Sequence, residues 1–275
     1  MEFKIEGFAN KPILGDITFS KAESNVFALF VHGFKGFKDW GAHNLVAEYF
    51  AEHGINYVKF NFSHSGVPAD DPKDVTNFED FANNTPIKEL YDLDKVVSFL
   101  KSEYQDSKII LIGHSRGGGV SILQAYKDVR IDAVITWAAI NDFSSLWKKE
   151  QEAEWREKGK IETFNARTKE YMPLNRVLLD DFERYKNELD IKKAAKALAK
   201  PWLIIHGDDD INVHLDIAKE FRGLNPNAKF EIIENANHVF GASHPYLGTT
   251  LPECLLTVCK ESFRFIMSLS FISRP

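Results

Sequence analysis

The chain has 275 residues, 44% hydrophobic and 27% charged, a balance that suits a globular protein able to bury one sizeable core. Its formal net charge of −6 gives no electrostatic pull toward nucleic acid or anionic lipid, and no apolar run approaches the roughly 20 residues of a membrane span. The two cysteines, Cys254 and Cys259, sit in one expected helix with diverging Cβ vectors, so no disulfide framework is expected.

Residues 1–10 carry acidic groups and no apolar stretch, so they do not read as a signal peptide, and a cytoplasmic location is expected. Residues 2–7 and 12–20 alternate in polarity and predict two strands joined near Asn10–Lys11–Pro12. The texture then changes to short apolar runs separated by helical patterns. Val26–Phe27–Ala28–Leu29–Phe30–Val31 reads as a buried strand, 42–52 as a helix closed by Gly54, and 55–60 as a further strand. Residues 63–84, broken by Pro68 and Pro72, read as a loop. Pro86 opens a helix whose apolar positions Ile87, Leu90, Leu93, Val96, Val97 and Leu100 keep the 3.6-residue period.

The central run, Ile109 to Ile112, leads into Gly113 and another helix. Strands follow at 131–139, 202–205 and 229–234, and an amphipathic helix covers about 251–272. Continuous apolar strands alternating with helices predict a mostly parallel sheet covered on both faces, with ligands beyond the carboxyl ends of its strands. Residues 143–192 break the rhythm. They are rich in charge and carry Trp147, Trp155, Phe164, Tyr171, Phe182 and Tyr185. They read as several helices inserted over the strand ends, a small cap with its aromatics toward substrate, while 1–142 and 193–275 form the core.

Gly113–His114–Ser115–Arg116–Gly117 is a Gly-x-Ser-x-Gly pattern that directly follows an apolar strand and directly precedes a helix. The chain must turn so sharply there that the residues two before and two after the serine nearly touch, which restricts both to small side chains. The turn is neither a Gly-x-Gly-x-x-Gly loop nor a P-loop. A serine hydroxyl needs a histidine base and an acid to orient it, in the chain order Ser, Asp, His on such a sheet. The loop His206–Gly207–Asp208–Asp209–Asp210–Ile211–Asn212–Val213 supplies the acid, with Asp210 favoured and Asp209 or Asp208 as substitutes, Asp208 otherwise capping the next helix. Asn237–His238 supplies the base, in preference to His244. His114 should point away from the serine. The oxyanion of an acyl-transfer intermediate needs two backbone donors. They are expected at Arg116, next after Ser115, and at Phe34, in the loop Gly33–Phe34–Lys35–Gly36–Phe37. Lys35, Lys38 and Arg116 place positive charge near the mouth.

Val31–His32–Gly33–Phe34, Gly113–His114–Ser115–Arg116–Gly117–Gly118, His206–Gly207–Asp208–Asp209–Asp210 and Asn237–His238 resemble, in order, the signature blocks of the α/β-hydrolase superfamily over about 25–265. The His-Gly-Phe loop and short cap resemble bacterial cinnamoyl- and feruloyl-esterase-like and dienelactone-hydrolase-like esterases, although dienelactone hydrolases proper use a cysteine where this chain has Ser115. The last two blocks are also similar to S9 peptidases. The resemblance implies an α/β-hydrolase fold of about eight strands, with Ser115 after the fifth and the cap after the sixth. It implies a serine esterase working through an acyl-enzyme on a small-molecule ester, with no metal or organic cofactor. An S9-like peptidase or aminoacyl hydrolase, a thioesterase and an acyltransferase would use the same machinery.

Overall fold

A computed structural model describes residues 1–272. Eight strands form one sheet: β1 (Glu2–Glu6), β2 (Pro12–Thr18), β3 (Val26–Val31), β4 (Asn56–Asn61), β5 (Lys108–His114), β6 (Ile131–Trp137), and, beyond a separate hairpin of β7 (Lys160–Asn165) and β8 (Glu170–Asn175), β9 (Trp202–Gly207) and β10 (Lys229–Ile233). Their order is β1-β2-β4-β3-β5-β6-β9-β10. The β1–β2 and β2–β4 pairs are antiparallel and every pair from β4 to β10 is parallel.

The buried strands divide their side chains by the two-residue period of the pleat. Phe27, Leu29 and Val31 face one apolar layer with Leu93, Val96 and Val97 of α3 (Pro86–Glu103) and Val120 and Leu123 of α4 (Arg116–Lys127). Val26, Ala28 and Phe30 face the other, with Val46 and Phe50 of α1 (His43–Glu52) and Val258, Cys259 and Ile266 of α9 (Glu253–Met267). Emptying one such site, as in Leu111→Ala, would cost about 3 kcal/mol in lost transfer energy and residual cavity. Thr85 caps α3, its hydroxyl accepting from the Lys88 amide, with Pro86 at the first helical position. Both cysteines are free. Among the described residues no helix is long and apolar enough to cross a membrane.

The segment expected as a plain loop at 63–84 contains a short helix, α2 (Phe78–Ala82), started by Asn77, whose side chain accepts from the Asp80 amide. A larger departure lies between β6 and β9. The expected all-helical insertion is half strand: after α5 (Glu152–Lys158) the chain forms the β7–β8 hairpin and only then α6 (Val177–Arg184). Residues 160–165 alternate exposed and buried, a strand pattern that the charged composition of the segment concealed. The insertion builds its own apolar cluster from Trp147, Trp155, Ile161, Met172, Leu174, Leu178 and Leu179, closed by Phe37 and Val75 from the loops below and Phe81 of α2. Next, α7 (Ile191–Ala197) returns to the main core through Ile191, Ala194 and Ala195, and α8 (Leu215–Leu224) covers β9 with Phe221.

Candidate active site

The loops after β3, β5, β9 and β10 meet at the carboxyl edge of the parallel sheet, where open α/β sheets bind ligands. Ser115 stands at the junction of β5 and α4 with φ 55° and ψ −119°, a strained conformation for a side chain with a Cβ. The strain is held from both sides. The Ser115 amide donates to the Trp137 carbonyl at 2.9 Å, and its own carbonyl accepts from Gly118 at 3.0 Å and Ile140 at 3.2 Å. A Cβ on Gly113 would lie 2.5 Å from the Gly117 carbonyl oxygen, and one on Gly117 would lie 2.1 Å from that of Val31. The close approach inferred from the five-residue pattern is therefore present, and it brings the β3 strand end against the turn.

Asp210 follows β9 and His238 follows β10. Asp210 Oδ2 lies 2.7 Å from His238 Nδ1, with the Asp210 side chain fully buried. Its Oδ1 accepts from the amides of Asn212 at 2.8 Å and Val213 at 2.9 Å. Burial alone would raise this carboxyl, but hydrogen bonds with His206 and His238 and the Val213 amide outweigh it and hold Asp210 well below the ordinary range. His206 braces the loop, donating from Nε2 to the Val213 carbonyl at 2.7 Å. Asp208 and Asp209 are exposed, and among the described residues only their backbone amides are engaged, so neither meets His238; nor does Asp208 cap α8, whose N-cap is His214. His244 is also absent from the arrangement. Its Nδ1 accepts from the Gly41 amide at 3.0 Å and its ring packs on Phe37 and Trp40.

Ser115 and His238 line one cavity of about 180 Å³. Among the described residues no hydrogen bond joins Ser115 Oγ to the His238 ring, a contact that in many free enzymes tightens only when substrate arrives. His114 does not point away from the serine. It lines the same cavity, its ring centroid 4.8 Å from that of His238, and its Nε2 donates to the His238 carbonyl at 2.9 Å. Burial, followed by the neighbouring His238, drives His114 down to about 3, so it is a neutral brace for the His238 loop.

Phe34 lies at the other wall. A Cβ on Gly33 would sit 3.0 Å from Ser115 Cβ, so the loop passes directly over Ser115. The Gly33 carbonyl accepts from His32 Nδ1 at 3.0 Å and from the Gly36 amide at 3.1 Å. Because the Gly33–Phe34 peptide is planar and trans, anchoring that carbonyl turns the Phe34 N–H to the opposite side. His32 Nε2 in turn accepts from the Phe62 amide at 3.4 Å, and burial lowers His32 to about 4, which keeps the ring neutral with its proton on Nδ1. In the sequence His32 shows only as part of the Val31–His32–Gly33–Phe34 block; the signal for its role is its place at the end of a fully buried strand.

The cavity lining corrects two further expectations. Its aromatic residues are Phe30, Phe34, Phe37 and Trp40, all outside the insertion, which contributes Asn165 and Arg167 instead. Trp147 and Trp155 are consumed by the insertion's own cluster, Phe182 and Tyr185 pack inward, and Phe164 and Tyr171 face solvent. The three expected cations are not a free basic mouth either. Lys38 pairs with Asp16 and Asp39, and Arg116 is buried against Glu89. Lys35 donates to Thr163 Oγ1 at 3.0 Å and the Phe164 carbonyl at 2.8 Å, tying the hairpin to the loop over Ser115. Among the described residues no group of three or more His, Cys, Asp or Glu is arranged to hold a metal ion.

Residues 28–248 match the alpha/beta hydrolase family, and the chain belongs to it. No curated protein matches the sequence. Several solved structures share the fold at low identity. Est1E from Butyrivibrio proteoclasticus superposes with a TM-score of 0.69 at 17% identity, covering 97% of both chains. A putative hydrolase from Agrobacterium vitis gives 0.73 at 16%, over 97% of this chain and 98% of that one. An alpha-beta serine hydrolase homologue from Coxiella burnetii gives 0.62 at 17%, over 98% and 97%.

Proposed function

We propose that the protein is a serine esterase that cleaves a small carboxylic ester through an acyl-enzyme on Ser115. The observation that carries this reading is the Asp210–His238 hydrogen bond of 2.7 Å at the wall of the cavity that Ser115 lines. Asp210, ionised, fixes the proton on His238 Nδ1 and leaves Nε2 free as a base. His238 Nε2 takes the Ser115 Oγ proton as Oγ bonds to the ester carbonyl carbon, and the carbonyl π electrons move to its oxygen. The amides of Phe34 and Arg116 receive that oxyanion; each such donor contributes about 3 kcal/mol to the transition state. Collapse re-forms the carbonyl and expels the alkoxide, which takes the proton from His238. Water then repeats the sequence, its proton passing to His238 and on to Ser115 as the acid leaves.

Residues 143–192 act as a cap in this reading, with Asn165 and Arg167 over the cavity and the aromatic contacts supplied by the core. A cavity of about 180 Å³ lined by four aromatic rings suits a small aryl or aromatic acyl ester. A solved structure of Est1E has ferulic acid, an aromatic acid, bound.

The test compares parent and Ser115→Ala on p-nitrophenyl acetate and butyrate, with a fluorophosphonate probe and peptide mass mapping alongside. Parent turnover, label on Ser115 and loss of nearly all turnover in a folded Ser115→Ala protein are expected. Turnover retained by that variant, or label elsewhere, overturns the assignment. A panel of aryl esters, thioesters and aminoacyl amides then ranks the leaving groups.

A further inference from the structure

Arg116 carries more than a backbone donor. Its side chain is 2% exposed, as is that of Glu89, and the two form a two-pronged ion pair, Nε to Oε2 at 2.8 Å and Nη2 to Oε1. Glu89 stands in the first turn of α3, where the helix dipole favours a carboxylate, and Oε1 also accepts from Asn84 Nδ2 at 2.8 Å. The guanidinium also lies against Phe34: Arg116 Cζ is 5.2 Å from the Phe34 ring centroid, and that ring packs against Phe81 at 5.3 Å. One residue thus touches both proposed oxyanion donors, since its own amide is one and its side chain holds the residue whose amide is the other.

We propose that Glu89 and the Arg116 side chain are positioning residues that hold the Phe34 and Arg116 amides at the spacing an oxyanion requires. The proposal rests on the esterase reading above. A buried ion pair loses the hydration of both charges, and apolar residues of similar volume are commonly as stable or more so, so stability alone does not explain why this pair is buried. Position does. Oxyanion donors act only when preorganised around the oxygen that develops charge. The Phe34 peptide is anchored at its carbonyl side by His32 and Gly36, but its side chain leans on a rim that is only half-buried. A planar guanidinium locked by two bonds to Glu89 gives that ring a fixed surface, which a flexible apolar side chain does not supply.

Two variants separate positioning from mere support. Arg116→Met combined with Glu89→Leu removes both charges together, and its melting temperature is expected to stay near the parent's. With p-nitrophenyl butyrate, kcat is expected to fall about 10- to 100-fold while KM changes little, as a small misplacement of donors produces. Affinity for a trifluoromethyl ketone, which forms a tetrahedral adduct on the serine, should fall in parallel, with affinity for the product acid unchanged. Glu89→Asp keeps the charge but draws the carboxylate back by one methylene, and it should show the same kcat-only loss in smaller measure; it carries the test if the paired variant does not fold. Parental kcat and adduct affinity in a folded variant overturn the positioning role, and with Ser115→Ala inactive they leave the esterase reading intact. Turnover surviving in Ser115→Ala overturns both.

Discussion

Asp210 Oδ2 lies 2.7 Å from His238 Nδ1, while Asp208 and Asp209, the two carboxylates immediately before it, are exposed and reach no histidine. Three consecutive aspartates are chemically equivalent in the chain, and the turn after β9 separates them. The Asp209 amide donates to the Ala236 carbonyl and so ties this turn to the His238 loop, leaving Asp210 to face inward. Asp210→Asn should therefore lower kcat by about 10³- to 10⁴-fold, because an amide in place of the carboxylate favours the wrong tautomer of His238. Asp208→Ala and Asp209→Ala should each stay within about twofold of the parent, as exposed substitutions do. Initial rates on p-nitrophenyl butyrate decide it; a large loss in either exposed variant would move the acid away from Asp210.

Acid should weaken the fold well before the carboxylates of the surface titrate. Burial holds His32 and His64 near about 4 and His43 and His114 near about 3, against an ordinary value of 6.5. These rings are neutral when folded and take up protons when unfolded, so the stability they contribute is complete above pH 6.5 and is lost as pH falls toward 4. Each contributes up to about 1.4 kcal/mol per pH unit across its window. Asp92 acts in the opposite sense. Burial, only partly offset by the Ser63 and Phe8 amides, raises it to about 6, so its contribution is complete below its ordinary value of 3.8 and is lost as pH rises through 6. Five lowered rings, these four and His244, against two raised carboxyls, Asp92 and Asp181, set the direction. Melting temperature should drop steadily from pH 7.5 to 4.5, and the drop should steepen in Asp92→Asn and flatten in His43→Phe. A melting temperature flat across that range would contradict the neutral burial of these histidines.

The hairpin of the insertion is tied down beside the cavity by Arg167, whose guanidinium pairs with Asp74 through Nη1 to Oδ2 at 2.8 Å and a second bond to Oδ1. Both side chains are about a quarter exposed, 26% and 28%, so the pair adds only about 1 kcal/mol or less to stability. Its effect should appear in binding. Arg167→Met is expected to raise KM several-fold, with little change in melting temperature and a smaller change in kcat. Full retention of the parental KM on both p-nitrophenyl acetate and butyrate would remove Arg167 from the binding wall.

Much of this architecture was legible in the chain because the relevant physics is local. Ile109 to Ile112 followed by Gly113 marks a buried strand entering a turn that tolerates only small neighbours, and Pro86 marks a helix start. What stayed hidden depends on partners distant in sequence. Arg116 looks like a surface charge until Glu89, 27 residues earlier, is brought beside it. His114 looks like a bystander until the loop after β10 returns its His238 carbonyl to the ring. Residues 160–175 read as helix because charge obscures a two-residue alternation, and the aromatics of 143–192 read as a binding surface because nothing in the local sequence marks the small cluster they form with one another.

Gly33 offers the sharpest separation of activity from stability. A Cβ at this position would lie 3.0 Å from Ser115 Cβ and 3.1 Å from the His114 carbonyl oxygen, tighter than ordinary van der Waals contact. Relief requires the loop to lift or the serine turn to shift by a few tenths of an ångström. The serine turn is held by the Trp137, Gly118 and Ile140 backbone bonds and by the packing of Gly113 against Gly117, so the loop is the part that moves. In the proposed mechanism, lifting it withdraws the Phe34 amide from the carbonyl oxygen under attack. Gly33→Ala should therefore fold and melt within a few degrees of the parent, yet lose about 100-fold or more in kcat, the magnitude of one missing oxyanion donor. Gly117→Ala makes the contrasting case. Its Cβ would lie 2.1 Å from the Val31 carbonyl oxygen, a clash with backbone in the centre of the sheet, so this variant should lose stability and activity together. Equal losses of melting temperature in the two variants would show that the loop is no more yielding than the strand, and would remove the oxyanion explanation for Gly33.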